Sequence, residues 1–391
     1  MTTQQTIDLF SQYVIGNYAR LPRVITRGEG CTLIDADCNR ILDMFPGWAV
    51  SGLGHCHPKV VEAVRKQVGE LIHIDNTFYS EPQGRLAKLL SERAFGGKCI
   101  FCNSGAEANE AALKLARLHT APEKYKFITA EGSFHGRTFA TVTATAQPKY
   151  HEGFLPLLPG FVYVPFNDVK ALEAVFTGEV AAVMVEPIQG EGGINVATPE
   201  YLLAIRRLCD ENGAVMILDE VQTGIGRTGK SFGYQHFDVE PDIITMAKAL
   251  GGGVAIGAMM AKPDVAACLV PGKHASTFGG NALACAAGIA VIETIEQEHL
   301  LDHAARLGAY TQRKLLELKP KHAIIDSVRG IGLMIGVQLT APGAKIVQRC
   351  LEKGLRINCT HDTVIRFMPP MIVTQDQIDQ AVNIFDSVLG E

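Results

Sequence analysis

The fold is decided by the stretch Ala214-Val-Met-Ile-Leu-Asp-Glu-Val-Gln-Thr223 and by Asp242-Ile-Ile-Thr-Met-Ala-Lys-Ala-Leu-Gly-Gly-Gly253. Each stretch begins with a short apolar run that is typical of a buried strand. Each run leads to one ionisable group, Asp219 in the first and Lys248 in the second. A charge at the end of a buried strand is costly to desolvate alone, so it usually has a specific partner.

The carboxylate and the amine match the two groups that pyridoxal phosphate (PLP) requires of a protein. A carboxylate keeps the ring nitrogen protonated, and a lysine amine holds the aldehyde covalently. Asp219 and Lys248 are therefore predicted to bind PLP. The alternative is an ordinary acid and an ordinary lysine at two strand ends.

The composition is that of a globular protein long enough for two domains, with 391 residues, 47% hydrophobic and 20% charged. The net charge is -5, and the basic residues are interspersed with acids, which argues against nucleic acid binding. Residues 1–10 lack the basic and apolar segments of a secretion signal, and no apolar run approaches the ~18 residues of a membrane span. We expect a cytoplasmic protein with no membrane partner.

The cysteines and histidines do not predict a metal site. The ten cysteines are dilute and lie mostly in apolar contexts, as Cys285 and Cys350 do, so we expect reduced, packed thiols. Cys99-Ile-Phe-Cys102 has zinc-knuckle spacing but lies in a strand pattern with no second pair. In His55-Cys-His-Pro58 the ligands are adjacent, which rarely suits one ion, and the proline opens a helical pattern.

Strands and helices alternate along most of the chain, and the strands are apolar on both faces. That pattern predicts an α/β fold with a mainly parallel sheet covered by helices. The predicted strands are 98–102, 124–130, 180–185, 214–218, 242–246 and 254–260, and the predicted helices are 58–71, 82–94, 107–120 and 199–212.

The C-terminal part of the chain has a pattern of its own and is predicted to form a smaller α/β domain. We predict an N-terminal segment, residues 1–57, that joins this small domain, a large domain at 58–285, and the small domain at 286–391. The elements predicted in the C-terminal part are helices 282–297, 300–318, 345–352 and 375–389 and strands 333–339 and 364–368.

Two glycine-containing segments resemble phosphate-binding loops. Asn103-Ser-Gly-Ala-Glu-Ala-Asn109 follows a strand and opens a helix, whose first N–H groups and positive dipole end favour a phosphate. Ser104 could instead be only an N-cap, with Glu107 completing a capping box, and the two roles are compatible. Gly224-Ile-Gly-Arg-Thr-Gly229 matches the dinucleotide pattern, but no helical pattern follows it, so we reject a nicotinamide cofactor.

Motifs spread over nearly the whole length make the chain resemble the class III PLP-dependent aminotransferases, and most closely their acetylornithine/ornithine group. The resemblance implies a fold-type-I transferase with a seven-stranded sheet in the large domain. The motifs, in chain order, are Asn17-Tyr-Ala-Arg-Leu-Pro22, Leu53-Gly-His-Cys-His-Pro58, Asn103-Ser-Gly-Ala-Glu-Ala-Asn109, Phe134-His-Gly-Arg137, Glu186-Pro-Ile-Gln-Gly-Glu-Gly-Gly193, Leu218-Asp-Glu-Val-Gln222, Ala247-Lys-Ala-Leu-Gly251, Ser276-Thr-Phe-Gly-Gly-Asn281 and Arg366-Phe367.

The resemblance assigns roles toward the cofactor, residue by residue. Lys248 would hold PLP and move the proton during the reaction, a task that requires a lowered pKa. Asp219 would pair with the ring nitrogen. A contact from the neighbouring subunit implies a homodimer with shared active sites. The other implied contacts are Ser104, Gly105 and Ala106 at the phosphate, Phe134 and Val221 on the two ring faces, Gln222 at the ring oxygen, and Thr277 of the neighbouring subunit at the phosphate.

The resemblance also implies two arginine sites for substrate carboxylates, because a guanidinium binds a carboxylate with two hydrogen bonds. Arg137 would bind the α-carboxylate of the amino donor, helped by Ser276 and Tyr18. Arg366 would bind the α-carboxylate of glutamate or 2-oxoglutarate, and Glu191 would pair with Arg366 while the donor occupies the site. A structural ion pair is the alternative for Arg366.

The implied reaction moves the terminal amino group of N-acetylornithine to 2-oxoglutarate, giving N-acetylglutamate 5-semialdehyde and glutamate, a step of arginine biosynthesis. Trp48 stands where the acetylornithine enzymes often have a smaller residue, and Ala106 replaces a threonine. Ornithine, succinylornithine and 4-aminobutyrate therefore remain alternative donors, and a non-catalytic PLP-binding protein is the alternative from another class.

Overall fold

The computed structural model describes residues 1–391. The helices are α1 (Thr3–Tyr13), α2 (Pro58–Glu70), α3 (Glu81–Arg93), α4 (Gly105–His119), α5 (Phe139–Ala144), α6 (Pro148–His151), α7 (Val169–Val175), α8 (Pro199–Asn212), α9 (Pro263–Ala266), α10 (Ala282–Gln297), α11 (Leu300–Leu316), α12 (Ala344–Glu352) and α13 (Gln375–Leu389). The strands are β1 (Ile25–Glu29), β2 (Thr32–Asp35), β3 (Arg40–Asp43), β4 (Lys98–Cys102), β5 (Lys126–Ala130), β6 (Phe161–Val164), β7 (Val180–Val185), β8 (Ile188–Gln189), β9 (Asn195–Val196), β10 (Val215–Asp219), β11 (Ile243–Met246), β12 (Gly257–Ala261), β13 (Ile325–Ile331), β14 (Met334–Leu339), β15 (Leu355–Arg356), β16 (Asn358–Thr360) and β17 (Val364–Phe367).

The central sheet has seven strands in the order β4-β12-β11-β10-β7-β5-β6. Strands β10 and β11 are parallel, as are β10 and β7, β5 and β7, and β5 and β6. Only β12 runs antiparallel to both neighbours. Every residue of β7 and β10 is buried, as expected for strands covered by helices on both faces. The predicted α/β fold with a mainly parallel seven-stranded sheet is confirmed.

The N-terminal strands join the C-terminal part of the chain. Strands β1, β2 and β3 form a small sheet whose last strand pairs in parallel with β15. The buried carboxylate of Asp43 fixes this junction, because its oxygens lie 2.9 Å from His55 Nε2 and 3.0 Å from Arg356 Nη1. We propose, on this pairing, that residues 1–57 belong with the small domain.

The C-terminal part contains a second sheet of order β13-β14-β17-β16, which packs with α11. The predicted strand 333–339 and helices 345–352 and 375–389 are present there, with bounds within one residue. The boundary predicted at residue 285 falls inside α10, a helix that packs against α2 and α3. Because a helix moves as one unit, we propose the end of α10 as the boundary.

Two sequence patterns set aside above, the glycine-rich segment at 224–229 and the Cys99–Cys102 pair, have ordinary structural places. Residues 224–229 form turns and open no α-helix, which agrees with rejecting the dinucleotide reading. Cys99 and Cys102 lie within β4, and all ten cysteines are free thiols. The helices are each too short or too polar to span a bilayer.

Candidate active site

The predicted cofactor residues gather at one edge of the central sheet. Strand β10 ends at Asp219, which pairs in register with Thr245 of β11. Lys248 lies three residues after Thr245 in the chain. Strand β4 ends at the same edge and leads into α4. In parallel α/β sheets, ligands bind outside the carboxyl ends of the strands. The sheet topology therefore places the carboxylate, the amine and the helix N-terminus at one crevice.

Asp219 is buried and held by three donors. Its Oδ1 accepts a hydrogen bond of 3.0 Å from the Val221 backbone N–H. Its Oδ2 accepts one of 2.8 Å from Asn109 Nδ2 and lies 2.8 Å from His135 Nδ1. With only 3% of its surface exposed, the carboxylate is fixed in place, as a partner for a ring nitrogen must be.

Lys248 occupies a strained backbone conformation at the start of a short 3₁₀ turn. Its φ is +44°, a region that residues with a Cβ seldom adopt and that is enriched at functional sites. Burial lowers the pKa of its amine, and the negative charges of Asp219 and Glu186 only partly oppose that shift. A lowered pKa raises the neutral fraction of the amine, which is the form that attacks an aldehyde and accepts a proton.

The N-terminus of α4 is free to bind an anion. Ser104 is the N-cap, and its Oγ accepts from the Glu107 N–H at 3.2 Å. Glu107 reaches back to the Asn103 N–H at 2.7 Å, so the predicted capping box is displaced by one residue. The N–H groups of Gly105 and Ala106, at the first two helical positions, have no acceptor within the helix. Both N–H groups can therefore bind a phosphate.

The residues predicted around the PLP ring make a close contact with the α4 N-terminus and leave one buried polar atom without a partner. A Cβ added at Gly105 would lie 2.9 Å from the Val221 methyl groups, so the helix approaches the predicted stacking valine as closely as glycine allows. The Oε1 atom of Gln222, the residue predicted at the ring oxygen, is buried and has no hydrogen-bond partner. Phe134, predicted on the opposite ring face, is anchored by its N–H, which donates to Glu186 Oε2 at 3.1 Å.

Arg366 is buried and already paired. Its Nη2 lies 3.0 Å from Glu191 Oε2, its Nη1 donates to the Gly190 carbonyl at 3.1 Å, and its Nε donates to Asn358 Oδ1 at 2.7 Å. The guanidinium also lies 4.6 Å from the centre of the Phe45 ring. The ion pair implied by the resemblance is therefore present, and Arg366 can accept a substrate carboxylate only if Glu191 moves.

Arg137 is exposed, and it has no carboxylate partner. Its guanidinium carbon lies 4.1 Å from the centre of the Tyr150 ring and 5.5 Å from that of Phe134. The Tyr150 hydroxyl donates to Glu191 Oε1 at 3.2 Å. One arginine is thus open to a carboxylate while the other is neutralised.

Of four further predicted residues, Ser276 lies within the site, and Tyr18, Trp48 and Thr277 are exposed in the single chain. Ser276 Oγ accepts from Asn103 Nδ2 at 3.3 Å within the same chain, so it lies beside the phosphate loop. Thr277 is exposed. Tyr18 is 66% exposed and contacts Arg20, and Trp48 is 54% exposed. The Trp48 ring centre lies 6.0 Å from that of Phe45, and Phe45 in turn faces Arg366 at 4.6 Å, so Trp48 borders the site. Tyr18 and Thr277 make none of the hydrogen bonds or ion pairs described for the site.

Four residues of the site were not predicted from the sequence. Asn109 and His135 lie inside quoted motifs, so a search for buried partners of Asp219 could have found them. Glu186 also lies in a motif; burial raises its pKa to about 7, and its Oε1 accepts from the Gly190 N–H at 3.1 Å. Tyr150 had no signal, because only the tertiary fold brings it to Glu191.

Comparison with known proteins agrees with this geometry. A model of the family described as aminotransferase class-III matches residues 13–389. The acetylornithine aminotransferase of Caldanaerobacter subterraneus subsp. tengcongensis is 53% identical over 385 residues, 97% of this chain and 98% of that protein. That of Methanocaldococcus jannaschii is 50% identical over 395 residues, 100% and 99% of the two chains. A solved ornithine aminotransferase from Toxoplasma gondii, with PLP at partial occupancy in its active site, has a TM-score of 0.94 at 35% identity and covers 99% of this chain and 94% of its own.

Proposed function

The chain belongs to the class-III aminotransferase family, and from that premise we propose that it transfers the terminal amino group of N-acetylornithine to 2-oxoglutarate. The products are N-acetylglutamate 5-semialdehyde and glutamate, so the enzyme serves arginine biosynthesis. The observation that carries the proposal is the pair of unequal arginines. Arg137 is open, whereas Arg366 is neutralised by Glu191 at 3.0 Å. That arrangement suits a donor with one carboxylate and a distant amine.

The cofactor we propose is PLP, held by this chain through groups that fit its parts. The N–H groups of Gly105 and Ala106 would bind the phosphate, the Asp219 carboxylate would pair with the ring nitrogen, and the Lys248 amine would hold the aldehyde carbon covalently. Phe134 and Val221 would contact the two ring faces, and Val221 already lies against the N-terminus of α4 at Gly105. When bound, PLP supplies an electron-withdrawing ring that stabilises negative charge on the substrate carbon.

Lys248 moves the proton. Because burial lowers the pKa of the amine, its Nζ can accept a proton from the substrate carbon and would then donate that proton to the cofactor. Asp219 keeps its place during this transfer, since three donors hold its oxygens. The position of both groups at one sheet edge removes the need to bring them together in each turnover.

The two half reactions use the arginines in turn. Arg137 binds the α-carboxylate of the donor, whose terminal amine then points toward Lys248. For 2-oxoglutarate, Glu191 leaves Arg366, and the freed guanidinium takes a carboxylate of the incoming acid with two hydrogen bonds. The Glu191–Arg366 pair thus allows one pocket to serve two substrates of different shape.

We further propose a homodimer in which Thr277 completes the phosphate site of the partner. Thr277 is exposed in the single chain, and α1 buries none of its residues. Leu9, Phe10 and Tyr13 on that helix are 45%, 42% and 72% exposed, an apolar surface that a second subunit would cover. The expectation of a cytoplasmic enzyme stays a prediction.

Ornithine is the second candidate donor. The solved enzyme from T. gondii that this chain resembles is named for ornithine, and Trp48 adds an aromatic group beside Phe45, the residue whose ring faces Arg366. Succinylornithine and 4-aminobutyrate are weaker candidates, because no observed contact favours either.

The test is a comparison of amino donors with the purified holoenzyme. Steady-state kcat/KM is measured with 2-oxoglutarate and each of N-acetylornithine, N-succinylornithine, ornithine and 4-aminobutyrate, and the products are identified by mass spectrometry. We expect the highest kcat/KM with N-acetylornithine. A higher value with ornithine would move the assignment to the second candidate, and no activity with any of the four would refute the proposed function.

A further inference from the structure

Tyr150 connects the two arginines that we propose as carboxylate sites. Its hydroxyl donates to Glu191 Oε1 at 3.2 Å, and the other oxygen of that carboxylate is paired with Arg366 at 3.0 Å. The face of its ring lies 4.1 Å from the Arg137 guanidinium carbon, a cation–π distance. A single side chain therefore contacts one arginine directly and the neutralising acid of the other.

The Glu191 carboxylate has few other partners. Besides Arg366 and Tyr150, only the Thr360 hydroxyl lies within hydrogen-bond distance of a side-chain oxygen, at 3.3 Å, and that hydroxyl is 2.7 Å from the Glu191 carbonyl. The Thr360 hydroxyl thus bonds mainly to the Glu191 backbone carbonyl. The Tyr150 hydroxyl is the main neutral donor that holds the carboxylate toward Arg366.

We propose that Tyr150 is a positioning residue that sets how strongly Glu191 blocks Arg366, and thereby how the enzyme discriminates between a one-carboxylate donor and a dicarboxylate. This inference rests on the proposed function of the two arginines. With the hydroxyl bonded to Glu191, the ion pair is stabilised and Arg366 is closed to carboxylates. Without that hydrogen bond, the Glu191 carboxylate separates from Arg366 more readily, and a dicarboxylate binds to Arg366 at lower concentration.

The phenol keeps its proton under all conditions in which the enzyme would be assayed. Burial, together with the nearby charge of Glu191, raises the pKa of Tyr150 to about 12. The hydroxyl is therefore a donor to Glu191 at neutral pH, and the effect does not depend on titration of the tyrosine.

The ring and the hydroxyl have separable effects. Phenylalanine keeps the face that Arg137 contacts, and keeps the edge contact with Phe134, whose ring centre is 5.5 Å away. Tyr150→Phe thus removes only the hydrogen bond to Glu191. Tyr150→Ala also removes the ring that Arg137 contacts, so it affects the sites of both arginines. A role in packing alone would not separate the two substrates in this way.

The decisive experiment measures glutarate binding to the holoenzyme by calorimetry. Glutarate is an unreactive dicarboxylate of the same chain length as 2-oxoglutarate. A hydrogen bond to a charged group shifts an equilibrium by roughly 10-fold, so Tyr150→Phe should lower the Kd of glutarate by about that factor. The KM for 2-oxoglutarate should fall with it, while the KM for N-acetylornithine stays within about twofold, since the Arg137 contact survives.

The matched control is Tyr310→Phe. Tyr310 also donates its hydroxyl to a carboxylate, Asp379 at 2.5 Å, but it lies on α11, away from Glu191. Its variant should leave glutarate binding unchanged. Tyr150→Ala should also tighten glutarate but raise the KM for N-acetylornithine several-fold.

Glutarate affinity that is unchanged or weaker in Tyr150→Phe would overturn the inference, as would an equal effect in Tyr310→Phe. The proposed function fails separately, through absence of turnover of N-acetylornithine by the wild-type enzyme, because glutarate binding is measured without turnover.

Discussion

His135 Nδ1 lies 2.8 Å from Asp219 Oδ2, and both side chains are buried. Asn109 Nδ2 donates to the same oxygen at 2.8 Å. The acid that we propose at the ring nitrogen is therefore oriented by side chains from two other segments. A carboxylate fixed before the cofactor binds requires little reorganisation, which is what electrostatic stabilisation of a reacting group needs.

Asp219→Asn should reduce kcat by on the order of 10²-fold or more, because the amide keeps the size of the side chain but removes the charge that holds the ring nitrogen protonated. Cofactor affinity should decrease less than kcat. Stopped-flow half reactions and cofactor titration measure the two effects. A variant within twofold of wild type in kcat would show that Asp219 does not contact the ring.

Arg366→Ala should raise the KM for glutamate and 2-oxoglutarate far more than that for N-acetylornithine. A carboxylate left without its bidentate partner in a buried site loses about 2 kcal/mol or more, which is over 10-fold in affinity. Arg137→Ala should show the reverse preference. Half-reaction kinetics of both variants give the comparison, and equal damage to both half reactions by Arg366→Ala would contradict the two-site model.

Glu220 should make the folded protein less stable as the pH rises toward neutrality. Burial raises its pKa to about 7 from an ordinary 4.5, although the N–H groups of Gly233 and Tyr234 donate to it at 2.8 and 2.6 Å. The folded state thus binds the proton more tightly than the unfolded chain. Its contribution is complete below about pH 4.5 and is lost as the pH rises to about 7.

Glu220→Gln removes the titrating carboxyl. Comparing its pH dependence with that of wild type therefore isolates the contribution of Glu220 to the free energy of unfolding. Between pH 5 and 7, the free energy of unfolding of the variant should fall less with rising pH than that of wild type. Denaturant titrations at several pH values measure both slopes. Identical slopes would mean that Glu220 has an ordinary pKa in the folded protein.

The sequence predicted six of the seven strands of the central sheet, because most of them are apolar and buried, but it missed the partly exposed edge strand β6. A continuous apolar run as short as Val180–Val185 is typical of a strand buried on both faces, and this strand has the bounds predicted for it. The N-terminal strands Ile25–Glu29 and Thr32–Asp35 were not predicted, since they are largely exposed or half-buried and carry polar residues. The next strand, Arg40–Asp43, joins them to the C-terminal part through Leu355 and Arg356, more than 300 residues away, which no local pattern contains.

The sequence predicted those site residues whose charged side chains lie within a recognisable motif. Asp219 and Lys248 follow apolar strands, so their charges are conspicuous in the sequence. Tyr150 was not predictable, because it is 41 residues from Glu191 and belongs to a four-residue helix without a periodic pattern. The substrate contacts predicted for Tyr18 and Trp48 depend on a second subunit or on bound substrate, so these roles stay predictions.

A mixed dimer should recover activity if the active sites are shared. Lys248→Ala chains and Thr277→Arg chains should each form inactive homodimers. A heterodimer contains one site with an intact Lys248 and an intact partner threonine, so it should regain up to half of the wild-type activity per dimer. Activity after verified subunit exchange is the measurement. An unaffected Thr277→Arg homodimer, or a fully active monomer on sedimentation, would argue against shared sites.

The most direct test of the account asks which residue holds the cofactor. The purified protein, incubated with PLP, is reduced with borohydride, digested, and mapped by mass spectrometry, alongside Lys248→Ala as a folded control. We predict a yellow protein whose visible absorption is bleached by reduction, a single stable cofactor adduct on Lys248, and no adduct and no turnover in the variant. An adduct on another lysine, or transamination by Lys248→Ala at near wild-type rate, would contradict the central claim.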